Sequence, residues 1–479
     1  MISAERLGIR LSPGLLTLLA ASLGSGAAIS VAIGGPTVGI AIVFAVAMAI
    51  VAAIEPGLLL GAYLLIPFYK AAVSPYVPVD VTVILAVVNA MQIVPLALEG
   101  RRRNVSRAGL LLWVGLALLV LGSVLYAPDQ GLGINRAVAY WALVFLPIVP
   151  AAMRVGSDVR HVRHLLWTFI AMGVLTAVVG LTQVSGTDRL VVLGMNTINE
   201  ALVVLLVPLL GVSFVLHERS FLVRLLMVLM IPGAVLVAVA SGSRGPILVL
   251  LVLAAAGIVL GVPEWRSVSW RRAAVIAAAG IVSVVLVSTA IGGLPARSID
   301  RFVVFGDFVE SGLGASSTDP VTGDTSSATR VTLFGVAATL FEEHPVLGTG
   351  TGGYEVLSNR FLGYTEQYPH DAFMQIAAEY GAVGLVIFGG LVVLALARRL
   401  PRGSAWRATR IVFIYFLLEA SVGGDILSDR TTLGLLMLLL LVEVPQYLPA
   451  DDRSADPAES VRETALTEGA ALAEGRSAP

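Results

Sequence analysis

Residues 368–388 read YPHDAFMQIAAEYGAVGLVIF, and the larger part of this stretch is apolar enough to enter a hydrocarbon core. At its opening stand four polar side chains, His370, Asp371, Gln375 and Glu379. The apolar run continues to Ala397, which predicts a helix over 372–397, since about 20 residues cross a core of about 30 Å. Asp371 suits the N-cap, because a carboxylate at that position accepts from free N–H groups of the first turn. Gln375 and Glu379 are four residues apart and share a face, which must turn into a bundle rather than towards lipid. His370 lies just outside, where an imidazole exchanges protons near neutral pH.

The rest of the chain repeats the apolar theme. Of 479 residues 57% are hydrophobic and 13% charged, with a mean hydropathy of +0.90. Soluble domains carry about 25% charged residues, so this chain cannot cover an ordinary water-facing surface. Apolar segments predict helices near 13–33, 36–54, 56–73, 79–98, 108–127, 136–153, 164–184, 198–217, 222–241, 246–263, 273–293, 372–397, 411–423 and 431–449. The expected fold is all-α, a polytopic transmembrane bundle of about twelve to fourteen helices. The residue-by-residue alternation of an outer-membrane barrel is absent. Absence of cysteine excludes disulfides and thiolate chemistry. The basic N-terminus resembles a signal peptide, but its apolar run extends to about Gly34 and another follows at once, so a retained first helix is expected.

Basic residues set the orientation. RRRNVSR (101–107), RVGSDVRHVRH (154–164), HERSFLVR (217–224), PEWRSVSWRR (263–272) and RRLPRGSAWRATR (398–410) fall in alternate loops. With both ends of the chain they hold 22 of the 31 basic residues, which predicts a cytoplasmic side that carries both termini. The remaining nine, among them Arg136, Arg244, Arg330, Arg360 and Arg430, defy that bias. Residues 1–449 form the transmembrane domain, and the polar segment 450–479 reads as a disordered cytoplasmic tail. The one long loop, 294–371, is extracytoplasmic. Within it RVTLFGVAATLFEEHP has helical spacing, with Val331, Phe334, Ala338 and Phe341 on one face, and Pro345 ends the helix. This amphipathic helix is expected to lie on, or dip into, the outer membrane surface.

Three clusters gather on that outer side. In SGSRGPI (241–247) Arg244 sits in a tight turn, where it either snorkels to lipid headgroups or offers phosphate oxygens its planar fork of donors. Arg330 opens the loop helix, where a cation opposes the macrodipole, so helix stability does not account for it. The glycines of EEHPVLGTGTGGY (342–354) either expose N–H groups to an anion or make a sharp turn; they do not match a nucleotide-binding loop. His370 with Asp371 is the third cluster. Together these residues offer two guanidiniums for a dianionic phosphate group and a base nearby. The outer acids are too scattered to hold a metal, so arginine would have to neutralise a diphosphate leaving group.

The ordered set SGSRG, an outer Arg330 before LFEEHPVLGTGTGGY, then PHDAFMQIAAEYGAVGLVIF, resembles the O-antigen ligase and polymerase superfamily, most strongly over 198–449. The resemblance implies a GT-C-like helical glycosyltransferase in a bacterial plasma membrane. Its donor would be a glycan on undecaprenyl diphosphate and its acceptor a glycan or glycolipid, with no cofactor, metal or nucleic acid. Arg244 and Arg330 match the arginines expected to hold the donor diphosphate, and His370 matches the histidine that takes or orients the acceptor proton. Asp371 stands where asparagine is common, and its charge is expected to raise the pKa of His370. Glu342, Glu343, Asp371, Gln375, Arg136 and Arg430 are candidates for supporting roles. Ligase and polymerase differ only in their acceptor. A flippase for the same lipid would call for matching broken helices in an internal repeat, and no repeat is evident, although Glu379, Glu419 and Asn89 fall in or near spans.

Overall fold

The computed structural model describes residues 55–73, 80–98, 106–183, 190–214, 220–259, 325–400, 404–427 and 429–441, with isolated positions from 48 to 54. The helices expected over 13–33 and 273–293, most of that over 36–54, the front of the long loop and the tail lie outside the described residues. Among those described, every regular element is helical. In chain order these are α1 (Pro56–Val73), α2 (Val81–Ala90), α3 (Ile93–Leu98), α4 (Arg107–Gly122), α5 (Gln130–Tyr140), α6 (Leu146–Gly156), α7 (Val159–Gln183) and α8 (Thr197–Val204). They continue with α9 (Leu206–Ser213), α10 (Phe221–Ala240), α11 (Arg244–Val259), α12 (Thr325–Glu343), α13 (Gly353–Leu362), α14 (Ala372–Ala397), α15 (Ser404–Gly423) and α16 (Arg430–Leu441). Seven segments among the described residues are long and apolar enough to cross a membrane. The protein is an all-α polytopic membrane protein.

Some boundaries differ from those read off the sequence. The helix expected from 136 begins at Gln130, because Asp129 caps it, accepting from the Leu132 N–H at 3.0 Å. That helix runs through a π-helical turn, Trp141–Phe145, into α6. Pro147 has no N–H to offer the carbonyl four residues back, that of Leu143, and the Tyr63 hydroxyl donates to it instead. The segment near 198–217 is two short helices rather than one.

The decisive element is α14. It starts where Asp371 caps it, the carboxylate accepting from the Met374 N–H at 2.7 Å, and it breaks at Gly381, whose φ is +63° and ψ −158°. In an unbroken helix Ala382 N–H would bond Ala378 C=O, and Val383 N–H would bond Glu379 C=O. Here segment 345–350 takes all four groups. Thr349 N–H donates to Ala378 C=O at 2.9 Å and Gly350 N–H to Glu379 C=O at 2.8 Å. In return Ala382 N–H donates to Pro345 C=O at 2.8 Å and Val383 N–H to Val346 C=O at 3.2 Å. Gly348, at φ +70°, makes the approach close enough: a Cβ there would lie 2.3 Å from the Glu379 carbonyl carbon. The glycine-rich stretch is therefore a turn docked into a broken helix, and the N–H groups of Thr349 and Gly350 are spent on α14 carbonyls, not offered to an anion.

Loop helix α12 also differs from expectation. Its buried face is Leu333, Val336, Ala337 and Leu340, packed with Tyr354 and Ala378, whereas Val331 is 52% exposed. The helix is apolar on two stripes, and the one that α13 and α14 cover is not the one singled out by spacing. It begins at Thr325, so Arg330 sits in the second turn, where the macrodipole argument has faded.

Gly381→Ala is expected to lower the thermal stability of the detergent-solubilised protein, since its backbone (φ +63°, ψ −158°) lies in a region nearly confined to glycine, which costs another residue about 1–3 kcal/mol, and a Cβ would also meet Val346 at 2.4 Å. Gly335→Ala, in mid-α12 with open space around it, is expected to leave the melting temperature equal or higher. Equal losses in both variants would contradict the docking account.

Candidate active site

The turn between α10 and α11 is built from SGSRG. The Ser241 hydroxyl donates to Ala238 C=O at 2.7 Å and accepts from the Ser243 N–H at 3.2 Å, while Gly242 adopts φ +68°. This places Arg244 at the head of α11, where the free N–H groups of the helix start also favour an anion. Arg244 and Arg330 both line one cavity of about 550 Å³ between α8, α11, α12 and α15. Glu419, buried in α15, closes the same cavity, and its Oε2 has no hydrogen-bond partner. The flank formed by Leu248 and Val252, respectively 39% and 56% exposed, turns outward.

A second cavity of about 200 Å³ shares Ile198 and Glu419 with the first. Tyr368, Asp425, Asp429 and Arg430 line it. The 424–429 turn that carries these acids is tied to α14 through Gln375, whose amide donates to Asp425 Oδ1 at 2.7 Å and accepts from the Ile426 N–H at 3.2 Å. Gln375 thus supports the wall of the site from a fully buried position.

His370 lines neither cavity; it neighbours residues that do, with Tyr368 against its ring and the Arg330 charge and the Gly423 backbone acting on it. Its φ of +59° is unusual for a non-glycine residue, and its ring packs edge-on to Tyr368 at 4.6 Å. The Nδ1 atom is buried without a hydrogen-bond partner, and Nε2 is 4.0 Å from Glu366. Burial first, and then the Arg330 charge, hold the imidazole below the ordinary histidine value, against upward pulls from the Gly423 backbone and Glu366. The expectation that Asp371 raises it is corrected here. Asp371 is committed to capping α14, and its own carboxyl is raised by burial, with the backbone hydrogen bonds opposing.

None of the other candidates lines the cavity that Arg244 and Arg330 share. Arg136 pairs with Glu355, reaches Glu379 at 3.7 Å and donates to Gln367 C=O at 3.3 Å, so it joins α5, α13, α14 and the strand of loop before His370. Arg430 lies over the Tyr63 ring at 5.7 Å, in the wall of the smaller cavity. Glu342 and Glu343 are exposed at the end of α12, the latter 3.7 Å from Arg360. Sequence reading did not single out Glu419 or Asp425 as site residues. Glu419 reads as a single acid in an apolar helix and Asp425 as one of two acids in a polar turn, neither of which says which cavity it faces.

A family model for O-antigen ligase matches residues 225–389, a segment that contains Arg244, Arg330 and His370. No curated protein matches the chain.

Arg136→Met is expected to cost about 3–5 kcal/mol of stability, because it leaves the fully buried Glu379 without its cation. Arg244→Gln is expected to lower the melting temperature less than Arg136→Met does. A stable Arg136→Met variant would show that Arg136 is not the structural tie described.

Proposed function

We propose that this member of the O-antigen ligase superfamily transfers a glycan from undecaprenyl diphosphate to an acceptor hydroxyl, with inversion, at the membrane face onto which the two cavities open. The observation that carries this reading is the larger cavity, which gathers two arginines on a site with an outward apolar flank. A diphosphate fits between planar guanidiniums, which bind phosphate oxygens in pairs. Leu248 and Val252 offer the polyprenyl chain an apolar path along α11.

In the proposed step the acceptor oxygen attacks the anomeric carbon as the bond from that carbon to the diphosphate oxygen breaks. The bonding pair leaves with the diphosphate, and Arg244 and Arg330 stabilise the charge that develops there. His370, largely neutral because burial and Arg330 disfavour its cation, accepts the acceptor proton. Its left-handed backbone is a strain of the kind found where a side chain must be aimed. The guanidiniums do what a divalent cation does in other diphosphate-leaving reactions, so transfer is metal-independent. That face is extracytoplasmic under the charge bias, with both termini cytoplasmic.

A transfer assay with purified protein, undecaprenyl-diphosphate-linked glycan and EDTA tests the proposal, candidate acceptors being tried in turn. His370→Asn is expected to lower turnover about 10²–10⁴-fold, and Arg244→Gln and Arg330→Gln to abolish most of it. Product on a lipid core or wall polymer identifies a ligase, and chain extension a polymerase. Movement of the lipid across a bilayer without transfer overturns the reading. Activity is also expected to fall only as pH drops through the lowered His370 value. Glu366→Gln removes a charge that holds that value up, so the acid limb is expected to move to lower pH.

A further inference from the structure

A cluster far from these cavities has no part in the proposed transfer. His161 and His164 stand one turn apart near the start of α7 and face Glu55, the residue before α1. The two helices touch backbone to backbone here, for a Cβ on Gly57 would lie 1.9 Å from the His161 carbonyl oxygen. That contact holds the carboxylate and both imidazoles in place. One ligand atom from each of the three residues lies within 4.8 Å of the others. All three side chains are mostly shielded, with 16% of Glu55, 19% of His161 and 30% of His164 exposed.

The present arrangement leaves the cluster incompletely satisfied. Glu55 Oε1 accepts from Arg160 and Oε2 contacts His164 Nδ1, while His161 Nδ1 is 3.7 Å from Oε2, buried and without a hydrogen-bond partner. A buried imidazole nitrogen without a hydrogen-bond partner, next to a second imidazole and a carboxylate, offers the donor set of a three-ligand zinc site. Ligand atoms about 2.0–2.2 Å from a tetrahedral ion lie about 3.3–3.6 Å apart, so the His161–Glu55 separation of 3.7 Å is already close, whereas the His164–Glu55 pair at 2.5 Å must open by about 1 Å. Arg160, half exposed, can release Glu55 into water.

We propose that Glu55, His161 and His164 bind a divalent transition-metal ion of the zinc class, which clamps α1 to α7. The fourth position is open to water. The ion displaces the His164–Glu55 hydrogen bond and competes with Arg160 for the carboxylate. From this clamp α1 runs to Pro67 and Phe68 in the wall of the smaller cavity, about 18 Å along its axis. The clamp takes no part in transfer, so EDTA in the assay above strips it without stopping the chemistry.

The test uses the full chain in detergent, freed of metal with a chelator and titrated with Co²⁺, then with Zn²⁺ in competition. Saturable, stoichiometric binding with the visible bands of four-coordinate Co²⁺ is expected, and Zn²⁺ should bleach them. His161→Ala with His164→Ala, and separately the milder Glu55→Gln, are expected to weaken binding by at least about tenfold. Arg160→Gln is expected to tighten it, an effect that a purely structural ion pair would not produce. Bands absent in the wild type, or equal in the wild type and the Glu55→Gln variant, would overturn the site.

Discussion

Every backbone N–H and C=O that a membrane helix gives up must find another partner, because lipid offers none. At Gly381 the structure meets this constraint by exchange: two helical hydrogen bonds open, and segment 345–350 closes all four groups. The break is therefore a socket for the loop. Thr351 pins the same segment to the end of α4, its hydroxyl donating to Val120 C=O at 2.9 Å and its N–H to the Ser123 hydroxyl at 3.1 Å. Once docked, the loop fixes α12 with Arg330 on one side and leads through α13 to His370 on the other. The start of α14 then holds the 424–429 turn through Gln375. The histidine, one arginine and the acidic wall are thus all positioned by a single interrupted helix.

The same low-dielectric logic sorts the charges. Arg136 is surrounded by Glu355, Glu379 and a carbonyl, and its role is to let a carboxylate stay buried near the break. Arg244 and Arg330 line a shared space large enough for a ligand. Glu419 stands buried in the same wall, and its Oε2 has no hydrogen-bond partner.

Much of this was legible in the sequence. The apolar runs fix an all-helical membrane bundle, the Asp371 cap and the 372–397 helix were read to the residue, and the motif order pointed to the superfamily. What escaped has definite physical causes. Gly381 sits in an otherwise helical apolar run, and no local pattern says that a loop more than thirty residues upstream will fill the gap it makes. Helix α12 is apolar on two stripes, so spacing could not choose the one that α13 and α14 bury. Arg136 broke the charge bias for a structural reason, whereas the bias itself carries no information about which arginines share a cavity. Glu419 reads as one acid in a long apolar helix until α11 is packed against it.

The proposed transfer depends on two arginines that line one cavity holding a diphosphate there. The most direct measurement is the affinity of the purified protein for undecaprenyl diphosphate itself, without glycan or acceptor, compared with undecaprenyl monophosphate. The diphosphate is expected to bind more tightly, and Arg244→Gln and Arg330→Gln each to weaken it by about tenfold or more, as loss of a charge-assisted hydrogen bond would. Unchanged affinity in both variants, or no preference over the monophosphate, would contradict it.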